Sequence, residues 1–187
     1  MTERKPLYFI AVVPPEPERS RLWELKRAFT EAYNTKAALR SPPHITLHMP
    51  FSFREDREIR LMEVLRGFVI QYPAFSLCLE GYGAFPPRVI YADVSESKEL
   101  REIQADLLQE MKTTFNIFNA NYKDRPFRPH LTLAFRDLKK SMFHIAWEEY
   151  CEKSLDMCWH TQSVALLKHN GKMWEILEEM PLKSSGL

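Results

Sequence analysis

The sequence predicts an α+β protein made of two copies of one unit packed about a pseudo-two-fold axis. Three observations lead there. First, Pro42-Pro43-His44-Ile45-Thr46-Leu47 returns as Arg128-Pro129-His130-Leu131-Thr132-Leu133, with the histidines 86 residues apart (130 − 44 = 86). Second, each stretch is followed by a helix, a strand, a turn and a strand, and the turns at Pro86-Pro87 and Asn170-Gly171 sit at nearly the same offset. Third, no Gly/Ser linker parts the halves of this 187-residue chain, so residues 1–187 form one body with its repeat at about 42–94 and 128–180.

The elements follow in order. Residues 8–13 are an apolar strand ended by Pro14-Pro15, and 16–33 are a helix with Leu22, Leu25, Phe29 and Tyr33 at helical spacing. After a connector, Pro42-Pro43 delivers the first motif strand, which Pro50 limits. Ser52 with Glu55 reads as a capping box for a helix over 54–72, with Ile59, Met62, Leu65, Val69 and Tyr72 inward. Strands are predicted over 75–82 and 89–94. Ser95 or Ser97 caps a helix over 98–115, and a polar connector then leads to the second motif strand at 131–135. Asp137 begins a helix reaching residue 150 or 153. Residues 157–167 and 173–177 are closing strands joined by a hairpin turn at 168–171.

Composition narrows the function classes. With 45% hydrophobic and 27% charged residues the chain is an ordinary folded protein. A formal charge of +1 excludes the global basic field that grips long duplexes, but a nucleic-acid end or a small charged ligand needs only a local patch. The apolar run Leu7 to Val13 is too short to span a membrane. Three cysteines, Cys78, Cys151 and Cys158, are an odd number at unpatterned spacing. They point away from a disulfide framework and toward a reducing, cytoplasmic setting. A monomer is expected.

The chemistry lies in the repeat. Residues i and i+2 of a strand share a face, so His44 lies beside Thr46, and His130 beside Thr132, with Ile45 and Leu131 turned to the core. Two imidazoles across a groove suffice for acid–base catalysis near neutral pH. One takes a proton from an attacking water and the other gives one to a leaving oxygen, while the threonine hydroxyls bond the non-bridging oxygens of a phosphate. No metal or other cofactor is needed. Hydrolysis of a phosphodiester or cyclic phosphate fits, because attacking and leaving oxygens lie on opposite sides of phosphorus.

Paired His-x-Thr motifs in a duplicated chain resemble the two-histidine (2H) phosphoesterase superfamily. Arg125-Pro126-Phe127-Arg128-Pro129-His130-Leu131-Thr132-Leu133 resembles the second motif of its 2′-5′ RNA ligase-like, cyclic nucleotide phosphodiesterase branch. The resemblance implies a bilobal α+β fold, two antiparallel sheets backed by helices around a central cleft. It also implies metal-free hydrolysis of 2′,3′-cyclic phosphate ends of RNA or nucleotides to 2′-phosphates. His44, Thr46, His130 and Thr132 match its functional positions, with His44 as the acid toward the 3′-oxygen and His130 as the base, although a symmetric site can run either way. Members of the family often carry an arginine just after the second motif. Arg136, six residues past His130, is expected on the same face and within reach of the phosphate. The same cleft could instead join or cleave 2′-5′ linkages, open a cyclic phosphate on an ADP-ribose derivative, or bind RNA or nucleotides without turnover.

Other residues are weighed singly. His48 falls on the His44 face, as a substrate contact or a rim histidine. Lys123, Arg125 and Arg128, interleaved with Tyr122 and Phe127, form either a solvated loop or a cluster that steers phosphate and stacks bases. Phe85 and Arg88 occupy the equivalent turn of the first half, either as lining of the same cleft or as plain turn residues. His144, His160 and His169 have no partner pattern and are read as structural. Cys151, Cys158 and His160 lack the ligand number and spacing of a zinc site.

Overall fold

The computed structural model describes residues 4–118 and 126–184. Among these, eight strands and four α-helices follow one another in the order β1 (Leu7–Val12), α1 (Glu18–Tyr33), β2 (Ile45–Ser52), α2 (Glu58–Val69), β3 (Phe75–Phe85), β4 (Val89–Val94), α3 (Lys98–Phe115), β5 (His130–Ala134), α4 (Lys140–Tyr150), β6 (Asp156–Thr161), β7 (Ser163–His169) and β8 (Trp174–Pro181). No helix among the described residues is long and apolar enough to cross a membrane.

The strands form a sheet in the order β6-β3-β4-β5-β2-β1-β7-β8, antiparallel throughout. Its two four-stranded halves meet between the motif strands at a single residue pair, Ile45 with Leu131. Two lobes joined by their histidine-bearing strands are therefore one continuous sheet. Counting outward from that seam, β2 mirrors β5, β1 mirrors β4, β7 mirrors β3 and β8 mirrors β6. The 86-residue offset carries β2 onto β5, yet it carries β4 onto β8, whereas in the sheet β4 stands opposite β1.

The core forms where the apolar stripes of all four helices meet one face of the sheet. Leu22 and Phe29 of α1, Leu61 and Leu65 of α2, Leu100, Ile103 and Leu107 of α3, and Phe143 of α4 join Ile10, Val12, Ile45, Leu77, Ile90, Leu131 and Leu133. Full burial of each such side chain contributes about 1.5–3 kcal/mol. A second, smaller cluster, Phe9, Ala11, Val13, Ala165 and Leu167, sits on the opposite face.

Several local expectations change. Ser97 does cap α3, its Oγ accepting from the Leu100 N–H at 3.1 Å. Ser52 caps nothing: its hydroxyl donates to the Lys5 carbonyl, and α2 starts through a short 3₁₀ turn, Glu55–Arg57. In α2 the buried stripe is Leu61, Leu65, Phe68 and Val69, and Ile59 is 69% exposed. The strand expected over 157–167 breaks at Gln162, where the chain leaves β3 in one half and joins β1 in the other. The reading of all three cysteines as reduced is also overturned. Cys78 and Cys158 are directly opposed in the β3–β6 register and form a disulfide, and Cys151 is the free, exposed thiol. Strand register across 80 residues is invisible to cysteine spacing, so the cysteines no longer argue for a reducing compartment.

Candidate active site

The Ile45–Leu131 pair sets the geometry. In an antiparallel register, that pair places His44 across from Thr132 and Thr46 across from His130. Ile45 and Leu131 are fully buried in the core, so the four polar residues turn to the other face, where all four are half-buried. The two His-x-Thr pairs thus meet across the sheet's central seam.

Each ring is held in the same way. His44 Nδ1–H donates to the Pro42 carbonyl at 2.7 Å, and His130 Nδ1–H donates to the Arg128 carbonyl at 2.8 Å. A carbonyl only accepts, so both Nδ1 atoms carry the proton of the neutral ring and both Nε2 atoms keep their lone pair. The carbonyl two residues back is thus a duplicated tautomer lock. Burial, then the Lys26 charge and more weakly His130, hold His44 down to about 4 against the opposing pull of its Pro42 hydrogen bond. Burial also lowers His130; the bond to the Arg128 carbonyl and Asp93 oppose it, while the Arg128 charge adds to it. Burial thus favours the neutral form of both imidazoles, with Nε2 of each as the site that takes up a proton.

Immediately beyond each threonine the strand bulges. Ala11 pairs with Thr46, but the next residue, Ile10, pairs with His48; Tyr91 pairs with Thr132, but Ile90 pairs with Ala134. Leu47 and Leu133 are the extra residues, and each bulge turns the following side chain toward the core. This corrects two expectations that rested on plain alternation. His48 leaves the His44 face and is 1% exposed, its ring edge-on to Phe51 and its Nδ1 against the Met49 carbonyl. Arg136 lies past the end of β5, at φ 58, with its guanidinium over the Phe135 ring. The same-face argument therefore does not carry it to the phosphate.

The flanks of the two histidines differ. On the His130 side, Phe85 and Tyr91 stand 5.2 and 5.1 Å from the imidazole, and the Arg128 guanidinium lies 5.3 and 5.6 Å over their rings. Phe85 and Arg128 are thus brought to the site. Gly83 is required there: a Cβ would sit 2.3 Å from the Tyr91 ring. On the His44 side, Phe9 lies 4.7 Å from the imidazole and Trp174 4.6 Å beyond it. Phe127 packs instead against the core, because it precedes the strand on the opposite phase from Arg128. Arg88 donates to the Arg136 carbonyl at the rim. Tyr122, Lys123 and Arg125 lie outside the described residues.

Sequence reasoning missed Phe9, Tyr91 and Trp174, which only sheet neighbourhood reveals. It also missed Lys26, whose signal was a charge on the otherwise apolar stripe Leu22, Lys26, Phe29, Tyr33. Asp137 was misread as a helix start. Its carboxylate accepts from Thr35 Oγ1 at 2.7 Å, Lys36 N at 2.8 Å and Ala37 N at 3.1 Å, tying the exit of the second motif to the lead-in of the first. No three His, Cys, Asp or Glu side chains group as metal ligands among the described residues.

A helix-backed antiparallel sheet with two matched histidine strands at its seam defines a class, and similarity to known proteins agrees with it. The model of the 2′-5′ RNA ligase superfamily matches residues 13–173, and the chain belongs to that family of two-histidine phosphoesterases. A Geobacillus kaustophilus (strain HTA426) protein described as a phosphoesterase is 27% identical over 133 residues, covering 70% of this chain and 69% of its own. The Thermus thermophilus protein TT0787 superposes with a TM-score of 0.68 at 22% identity, covering 96% of this chain and 100% of that one. Escherichia coli LigT complexed with 3′-AMP gives 0.68 at 19% identity, covering 96% and 99%.

Proposed function

We propose that this protein is a metal-independent phosphodiesterase that hydrolyses 2′,3′-cyclic phosphate ends of RNA or nucleotides to 2′-phosphates. The observation that carries the reading is the duplicated tautomer lock: two imidazoles on one face, each with Nε2 free, each across from the other motif's threonine. Water attacks phosphorus, a P–O bond forms, and the bond to the 3′-oxygen breaks. One Nε2 takes the water proton, and the other, protonated, delivers a proton to the departing 3′-oxygen. Thr46 and Thr132 bond the non-bridging oxygens, where charge gathers in the transition state. Phe85, Tyr91, Arg128, Phe9 and Trp174 flank the ring and base. The complex of the family's E. coli LigT with 3′-AMP supports a nucleotide ligand for the same fold.

The test is hydrolysis of 2′,3′-cyclic AMP in EDTA by the wild type and by His44→Ala and His130→Ala. The reading expects activity in EDTA, loss in both variants, and 2′-AMP as the product by phosphorus NMR. Full activity in either variant overturns the mechanism, and loss of wild-type activity in EDTA overturns its metal independence. Tight oligonucleotide binding without turnover would make the protein a binding module.

A further inference from the structure

On the His44 side the rings do not stop at the motif. His44 meets Phe9 with 4.7 Å between ring centroids, Phe9 meets Trp174 at 4.6 Å, and Trp174 meets His169 at 4.9 Å. Four rings thus run in one row, from the start of β2 across β1 and β8 to the end of β7. Beneath them lies the small apolar cluster Phe9, Ala11, Val13, Ala165 and Leu167, with Trp174 and Ile176 packed on it. Phe9 is buried, whereas Trp174 and His169 are half-buried. On the His130 side, by contrast, the rings of Phe85 and Tyr91 lie under the Arg128 guanidinium.

The outer end of the row offers donors. The Gly171 N–H donates to His169 Nδ1 at 3.2 Å. The ring proton therefore sits on Nε2, the reverse of the tautomer at His44 and His130. His169 thus presents an N–H, not a lone pair. Lys172, exposed at the hairpin tip, makes no ion pair among the described residues and adds a positive charge. The tip is held in shape: Asn170 Oδ1 accepts from Lys172 N at 2.9 Å and Met173 N at 3.0 Å, and Asn170 Nδ2 donates to Glu175 at 2.6 Å. Half-exposed rings beside an N–H donor and a cation, on a hairpin already ordered, suit a nucleic-acid single strand. Bases stack on the rings, and phosphates meet the donors.

We propose that the β7–β8 hairpin is a second-nucleotide subsite. Trp174, at the margin of the terminal base, is the platform for the base one step upstream, and His169 Nε2–H and Lys172 bond that nucleotide's phosphodiester. The preferred substrate is then the 3′ end of an RNA strand and not a free cyclic mononucleotide. The proposal deepens the phosphodiesterase reading and rests on it for the terminal cyclic phosphate; the row of rings and the hairpin donors do not depend on it. Stacking tolerates any base, because every base has a flat face. The subsite should therefore select strand length and not sequence.

Two measurements test this. The first compares kcat/KM on the dinucleotide ApA with a 2′,3′-cyclic phosphate end and on 2′,3′-cyclic AMP. The wild type should favour the dinucleotide by roughly 5–150-fold, the range of one base–aromatic stack. Trp174→Leu keeps apolar cover over Phe9 but removes the indole face; it and His169→Ala should each erase most of that preference. Lys172→Ala should reduce it and weaken its dependence on salt. Equal kcat/KM on the two substrates in the wild type, or a preference unmoved by Trp174→Leu and His169→Ala, overturns the proposal. Should Trp174→Leu fail to fold, the wild-type comparison and the two hairpin variants His169→Ala and Lys172→Ala still decide. The second measurement needs no turnover. Indole fluorescence is titrated with ApA carrying a 2′-phosphate end and with 2′-AMP. The dinucleotide should bind more tightly and quench a signal that Trp174→Leu lacks; equal affinities overturn the subsite. Tighter dinucleotide binding without hydrolysis of either cyclic phosphate would sink the phosphodiesterase reading and leave the subsite. Hydrolysis of both with equal efficiency would sink the subsite and leave that reading.

Discussion

The two halves of the site share a backbone and differ in what surrounds it. Both present His-x-Thr on one face, both lock Nδ1 on the carbonyl at position −2, and both bulge just after the threonine. Around that frame, the His130 half has Phe85, Tyr91 and Arg128, whereas the His44 half has Phe9, Trp174 and the buried Lys26. Chemistry that needs two equivalent proton carriers constrains the backbone. Distinguishing acid from base, or one end of a substrate from the other, requires unlike side chains on that frame.

Breaking either frame should have the largest effect. His44→Ala and His130→Ala should each lower kcat on a 2′,3′-cyclic nucleotide by about 10²–10⁴-fold, the range that a positioned acid or base supplies, while far-UV circular dichroism stays unchanged. A substitution confined to one half comes next. Gly83→Ala drives a methyl into the Tyr91 ring. It should cost roughly 1–3 kcal/mol in chemical unfolding, the range for overpacking, and displace the His130 ring signals while those of His44 hold. Equal disturbance of both rings would show that the halves are not independent.

Asp137→Ala removes the strut between the halves. Loss of its hydrogen bonds to Thr35, Lys36 and Ala37 should cost about 1–3 kcal/mol. Burial opposes ionisation of Asp137, but these bonds outweigh it and leave its carboxyl below the usual range. A depressed folded value means the stabilisation is complete above the unfolded carboxyl value near pH 4 and fades as pH falls through the folded one. Asp137→Ala should therefore flatten the acid side of a stability–pH curve; an unchanged curve would refute the strut. The smallest effect is chemical. Alkylation of the native, unreduced protein should label Cys151 alone, and labelling of all three cysteines would show the β3–β6 pair to be reduced.

What could be read from the sequence stops where the strands stop being regular. His44 with Thr46, and His130 with Thr132, need alternation over only two residues, and the structure keeps each pair on one face. His48 and Arg136 needed it past Leu47 and Leu133, where an extra residue reverses the phase. Nothing in Leu-His-Met or Leu-Ala-Phe announces a bulge. Ile59 and Leu61 belong to two overlapping helical stripes, and packing in the core buries the one that carries Leu61. The Cys78–Cys158 pairing, the break at Gln162 and the neighbours Phe9, Tyr91 and Trp174 all depend on which strands adjoin, which is a property of the sheet rather than of any local segment.

The central claim is that His44 and His130 act together on one phosphorus, and a double-mutant cycle on 2′,3′-cyclic AMP tests it most directly. If the histidines share one step, His44→Ala, His130→Ala and the double variant should fall to nearly the same residual rate, because either loss already disables the unit. Independent losses that multiply in the double variant, or a single variant that keeps wild-type turnover, would contradict it.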